Sequence, residues 1–98
     1  MHRVKKLLRI LEEEELDAFI SFSPATSLYF HGFEGQGVLV KRDGEARLFI
    51  LKLDFFAAEE RARACEVVVV AQRKVMWRFL LDYASKLRRI GVERRTLP

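Results

Sequence analysis

Between Asp17 and Val40 the chain fixes a strand, a short helix and a second strand, and that succession limits the fold more than anything else in its 98 residues. The run Asp17-Ala18-Phe19-Ile20-Ser21-Phe22 reads as a buried strand. Ser23 can then accept a hydrogen bond from an amide of a first helical turn, and Pro24 sits where its missing N–H costs nothing. Gly32 can take the left-handed conformation that ends a helix, so these signals bracket one helix of about two turns. Gly35-Gln36-Gly37 leads into the apolar run Val38-Leu39-Val40. It lacks the lysine and the following helix of a phosphate-binding loop, so it is expected to be a turn into a strand.

The rest of the chain fits around this unit. Val4, Leu7, Leu8 and Leu11 recur at helical spacing, which predicts an amphipathic helix from about His2 to Glu14. Asp43-Gly44 between apolar runs predicts a two-residue hairpin turn with positive φ at both central residues, which would place Leu39 across from Leu48 and Val40 across from Arg47. Leu53 to Arg63 is rich in helix formers and predicts a helix of about three turns. The run Val67 to Val70 reads as a central strand covered on both faces. Met76, Phe79, Leu80, Tyr83, Leu87 and Ile90 predict a longer helix over 75–90, with Gly91 beyond it and a strand starting at Val92-Glu93. The expected fold is α/β: three layers, a mixed β-sheet with one antiparallel hairpin, flanked by helices.

Composition bounds the function. With 50% hydrophobic residues and eight Phe the chain can build a core, and residues 1–98 are expected to be a single domain. Thr96-Leu97-Pro98 follow directly on the last strand signal, so the expectation is a domain truncated at its carboxyl end. A lone cysteine, Cys65, and no span of ~20 apolar residues suggest a cytoplasmic chain with no membrane partner. The absence of Asn, with only two Gln, suggests a thermophilic source. The net charge of +4 gathers in Arg3-Lys5-Lys6-Arg9, Arg73-Lys74-Arg78 and Lys86-Arg88-Arg89-Arg94-Arg95. Those groups read as solvated helix faces, and a basic nucleic-acid- or protein-binding module is the alternative function.

No residue set suggests catalysis. His2 and His31 are the only imidazoles and share no ligand spacing, so neither a metal site nor a cofactor site is expected. Cys65 lies between a helix and the valine strand, where a small buried thiol is expected instead of a nucleophile. Tyr29, Phe30, His31 and Phe33 crowd a short segment beside glycines, which is more than a two-turn helix can bury. They are the candidate interface residues.

Taken together, Leu16-Asp17-Ala18, Ser23-Pro24, Tyr29-x-x-Gly32-Phe33, the Asp43-Gly44 hairpin, the acidic-and-alanine helix, the valine strand and Ile90-Gly91-Val92-Glu93 resemble the amino-terminal domain of the creatinase, prolidase and Xaa-Pro aminopeptidase family. The resemblance implies an α/β unit preceding a pita-bread catalytic domain that holds two divalent metal ions with Asp, His and Glu ligands. That catalytic domain is not in this sequence, so the chain itself would be non-catalytic and the parent a metal-dependent Xaa-Pro peptidase, a hydrolase. In relatives the domain helps assemble oligomers and shapes the entrance to the metal site. The implied partners are therefore further copies or a separate catalytic domain, with peptide substrate met only indirectly. Two departures stand out: Glu15 where relatives often carry Gly, and Phe55-Phe56 where many carry Arg-Tyr, which inclines the chain toward archaeal-type dipeptidases.

Overall fold

A computed structural model describes residues 2–86 and 90–92. The elements are α1 (His2–Glu13), β1 (Ala18–Ser21), α2 (Pro24–His31), β2 (Gly37–Lys41), β3 (Ala46–Leu51), α3 (Phe55–Arg61), β4 (Glu66–Val70), α4 (Arg73–Ser85) and β5 (Ile90–Val92). The strands form one mixed sheet in the order β4-β3-β2-β1-β5. β1, β2 and β3 pair antiparallel in succession, while β5 runs parallel to β1 and β4 parallel to β3.

Alternation along the strands builds a core on each face of the sheet. Val38, Val40, Leu48 and Ile50 point to one side, where Leu7 and Leu11 of α1 and Ala58 of α3 cover them. Ile20, Leu39, Phe49 and Val70 point to the other, against Met76 and Leu80 of α4. Trp77 of α4 stacks on Phe22 with ring centroids 3.9 Å apart. The helical stripe expected in the first segment is realised, with Val4, Leu7 and Leu11 buried.

Four sequence expectations need correction. Among the described residues, the valine strand β4 is an edge strand, bonded to β3 alone. Its apolar side chains report that both faces are covered, Val67 packing on the α1–α3 side and Val68 on the α4 side, and coverage of faces says nothing of what lies alongside. The hairpin has a three-residue loop: Lys41 N–H donates to the Glu45 carbonyl at 2.8 Å and Gly44 N–H to the Lys41 carbonyl at 2.9 Å. Gly44 takes φ 100° while Asp43 stays at negative φ, its Oδ1 accepting from Glu45 N–H. The glycine absorbs the extra residue as a bulge, which slips the register by one and pairs Val38 with Leu48, Leu39 with Arg47 and Val40 with Ala46.

The third correction shortens α3, because Lys52–Asp54 form a 3-10 turn before it. The fourth ends the last helix at Ser85 and moves Ile90 out of it into β5, where it precedes Gly91 beside β1. Leu87, Arg88, Arg89, Glu93, Arg94 and Arg95 lie outside the described residues, as does the side chain of His2.

Candidate functional site

The stretch from Ser21 to Gly37 carries β1 off the sheet, through α2, and back into β2. Ser23 caps α2 as its sequence implies: its Oγ accepts from Thr26 N–H at 3.2 Å, with Pro24 at the first turn. Gly32, at φ 75°, ends the helix and donates its N–H to the Leu28 carbonyl. Ser23 N–H is itself held by Ser21 Oγ at 3.1 Å.

Helix α2 turns its polar residues inward. Ser27 and His31 are fully buried, one helical turn apart on the inner face. Ser27 Oγ donates to the Pro24 carbonyl at 2.9 Å and accepts from Gly35 N–H at 2.7 Å, which ties the helix to the glycine exit. A Cβ on Gly35 would lie 2.6 Å from Leu48 Cδ1 and 2.9 Å from the Phe49 carbonyl, so this close approach needs glycine. His31 joins α2 to the segment after α3: its carbonyl accepts from Arg63 N–H at 2.8 Å, and its Nδ1 lies 3.0 Å from the Arg63 carbonyl. A carbonyl only accepts, so Nδ1 carries the proton and Nε2 is a bare acceptor, buried without a partner among the described residues. Burial holds the His31 pKa below the usual histidine range, and the ring is neutral.

The outer face of α2 is apolar. Leu28 is 46% and Tyr29 52% exposed. The Arg3 guanidinium lies 4.4 Å from the Tyr29 ring centroid and donates from Nη1 to the Tyr29 carbonyl at 2.9 Å. An open depression of about 290 Å³ beside them is lined by Arg3, Leu28, Tyr29, Phe30, His31, Gly32 and Arg63. Of the four expected interface residues, Tyr29 is thus at the surface. Phe30 and Phe33 are half-buried against the core, Phe30 edge-on to Phe19. His31 is not available for contact, because its ring is committed inward. Leu28 was missed; its exposure follows once Ser27 and His31 are seen to define the inner face.

Other chemistry is not assembled. Cys65 packs against the core and burial pushes its thiol up to about 11, so it is protonated at neutral pH. Among the described residues no three of His, Cys, Asp and Glu come together to hold a metal ion. No helix among them is long and apolar enough to cross a membrane. Lys5, Lys6 and Arg9 are exposed on α1, whereas Arg73, Lys74 and Arg78 are exposed on α4. The sheet separates those two helices, so the basic groups do not form a single stripe.

Residues 3–98 match the family described as the creatinase/prolidase N-terminal domain. The chain belongs to that family. Solved structures with the same fold include the prolidase of Pyrococcus horikoshii, with a TM-score of 0.80 at 19% identity over 100% of this chain. The Xaa-Pro dipeptidase of Bacillus anthracis superposes with a TM-score of 0.79 at 19% identity, again over 100% of this chain. An Xaa-Pro aminopeptidase structure from Streptococcus pyogenes gives 0.78 at 20% identity, covering 98% of this chain and 74% of that one. The creatinase/prolidase N-terminal domain described here spans only 27% and 28% of the lengths of the P. horikoshii and B. anthracis chains. No match to a curated protein sequence was found.

Proposed function

We propose that this chain is the non-catalytic amino-terminal domain of a Xaa-Pro dipeptidase or aminopeptidase, and that the outer face of α2 docks on a catalytic domain or a second copy and narrows the approach to a metal-dependent peptidase site. The observation that carries the reading is the inversion of α2. A surface helix ordinarily hides its apolar stripe, whereas here Ser27 and His31 are inside and Leu28 and Tyr29 outside. Apolar residues turned outward beside an arginine-lined depression suit a contact surface with an aromatic anchor. The family match and the prolidase-like neighbours support the assignment of the parent activity. The domain's contribution is then geometric: it limits which peptides can be positioned for attack by a site built elsewhere.

Two measurements test this. The purified chain should not hydrolyse Xaa-Pro dipeptides with added manganese, cobalt or zinc; turnover proportional to chain concentration and surviving replacement of both His2 and His31 would overturn the non-catalytic reading. In sedimentation, the wild type should run as a larger species than a Leu28→Ser, Tyr29→Ser double variant that keeps its far-UV circular dichroism. Identical sedimentation of the two would remove a second copy as the partner of α2.

A further inference from the structure

The β4 edge of the sheet is built to take another strand. Edge strands in soluble proteins are usually blunted by lysine, proline, a bulge or a covering element. β4 reads Glu-Val-Val-Val-Val, runs in unbroken register with β3 from Arg47↔Glu66 to Leu51↔Val70, and has no second neighbour among the described residues. Beyond Val70 the backbone is extended again at Gln72, with φ −147° and ψ 152°. The margins beside this edge are apolar in both helical layers. On the α3 side, Phe56 is 81% and Val69 43% exposed, flanking a depression of about 360 Å³ that Phe55 and the exposed Lys52 also line. On the α4 side, Val75 and Phe79 are exposed, with Phe79 packed on Phe49 of β3 next to the edge.

We propose that β4 pairs antiparallel with β4 of a second copy about a two-fold axis near Val69, joining two sheets into one. Charge chooses this occupant. The β4 edge begins at exposed Glu66, whose carboxylate lies 3.9 Å from Arg47 Nε on β3 and keeps its outer side open to solvent, and is followed at its other end by exposed Arg73 and Lys74. Antiparallel pairing lays the acidic end of each copy against the basic end of the other, twice per dimer, whereas parallel pairing sets like charges side by side. A two-fold perpendicular to the sheet also keeps the layers matched. It brings Phe56 and Val69 toward their own copies on one side and Val75 and Phe79 toward theirs on the other, so the apolar margins that are exposed in one copy are covered together. This surface is separate from α2 and does not depend on the docking role given to α2.

The test is sedimentation equilibrium in the Leu28→Ser, Tyr29→Ser background, where α2 cannot contribute. The chain with β4 intact should dimerise reversibly. Val69→Lys, which places a charge on an already exposed edge position, should weaken the dimer about tenfold or more, and Glu66→Arg should do the same by setting like charges together. The double swap Glu66→Arg, Arg73→Glu should restore it. Unchanged far-UV circular dichroism, and cooperative unfolding at a dilution where every form is monomeric, establish that each variant is folded. A monomer with β4 intact at several hundred micromolar, or a dimer indifferent to Val69→Lys, would overturn the proposal. Loss in both single variants with no recovery in the double swap would refute the antiparallel arrangement.

Discussion

Replacing Glu15 with glycine should make this domain more stable, although it removes a side chain and adds no contact. The close of α1 forces Glu15 to φ 54°. Leu16 N–H reaches back to the Leu11 carbonyl at 2.8 Å and Glu15 N–H to the Glu12 carbonyl at 3.2 Å, the bond pair of a Schellman cap, and Leu16 packs in the core with Leu11. The position between them must be left-handed, which costs an L-residue about 1–2 kcal/mol. Glycine escapes that cost and gives back about 0.5–1 kcal/mol through its freer unfolded chain. The net gain is about 0.5–1 kcal/mol, a rise of roughly 2–8 °C in melting temperature for a domain of this size. Thermal and urea unfolding of Glu15→Gly should be read beside Glu15→Gln, which removes the charge and leaves the strain. If the glycine variant is no more stable than the glutamine variant, the backbone argument is wrong.

Gly35→Ala should cost about 1–3 kcal/mol, read as a lowered urea midpoint, because the new methyl meets Leu48 and the Phe49 carbonyl in a packed core. Gly44→Val should cost about 1 kcal/mol or more from backbone strain alone, since nothing lies within 4 Å of its Cβ; an unchanged midpoint would mean the loop tolerates negative φ there. Unfolded His31 takes a proton near its ordinary 6.5 whereas the buried ring resists one. Its share of stability is therefore full above pH 6.5 and is lost as pH falls toward the lowered folded value, at no more than about 1.4 kcal/mol per pH unit. His31→Asn should flatten that slope between pH 6.5 and 5 in denaturant titrations; the same slope in the variant would assign it to other groups.

What the residues disclosed, and what they withheld, divides along physical lines. Signals confined to one turn of chain were legible: the Ser23 cap, the Gly32 stop, the apolar stripe of α1, and the need for positive φ at Gly44. Quantities set by distant neighbours were not. Four valines announce two covered faces, and only the assembled sheet places β4 at its edge. Asp43-Gly44 announces a hairpin, yet whether Gly44 serves as half of a two-residue turn or as a bulge depends on which faces of β2 and β3 meet the helices. His31 looked like one of four loop aromatics because its partner, the Arg63 backbone, lies 32 residues away. The inner face of α2 was readable in principle from Ser27 and His31 four residues apart, but two polar residues do not look like a core face.

The glycine exit after α2 is pinned at three points: Gly32 to Leu28, Gly35 to the Ser27 hydroxyl, and Gln36 N–H to the Phe49 carbonyl at 2.7 Å. A segment with this many glycines would ordinarily freeze on docking and surrender part of the binding energy as lost freedom. Here that freedom is already gone when the domain folds. A partner meeting α2 would encounter a preset template, and association should show a small entropic penalty and little change in backbone exchange between the free and joined forms.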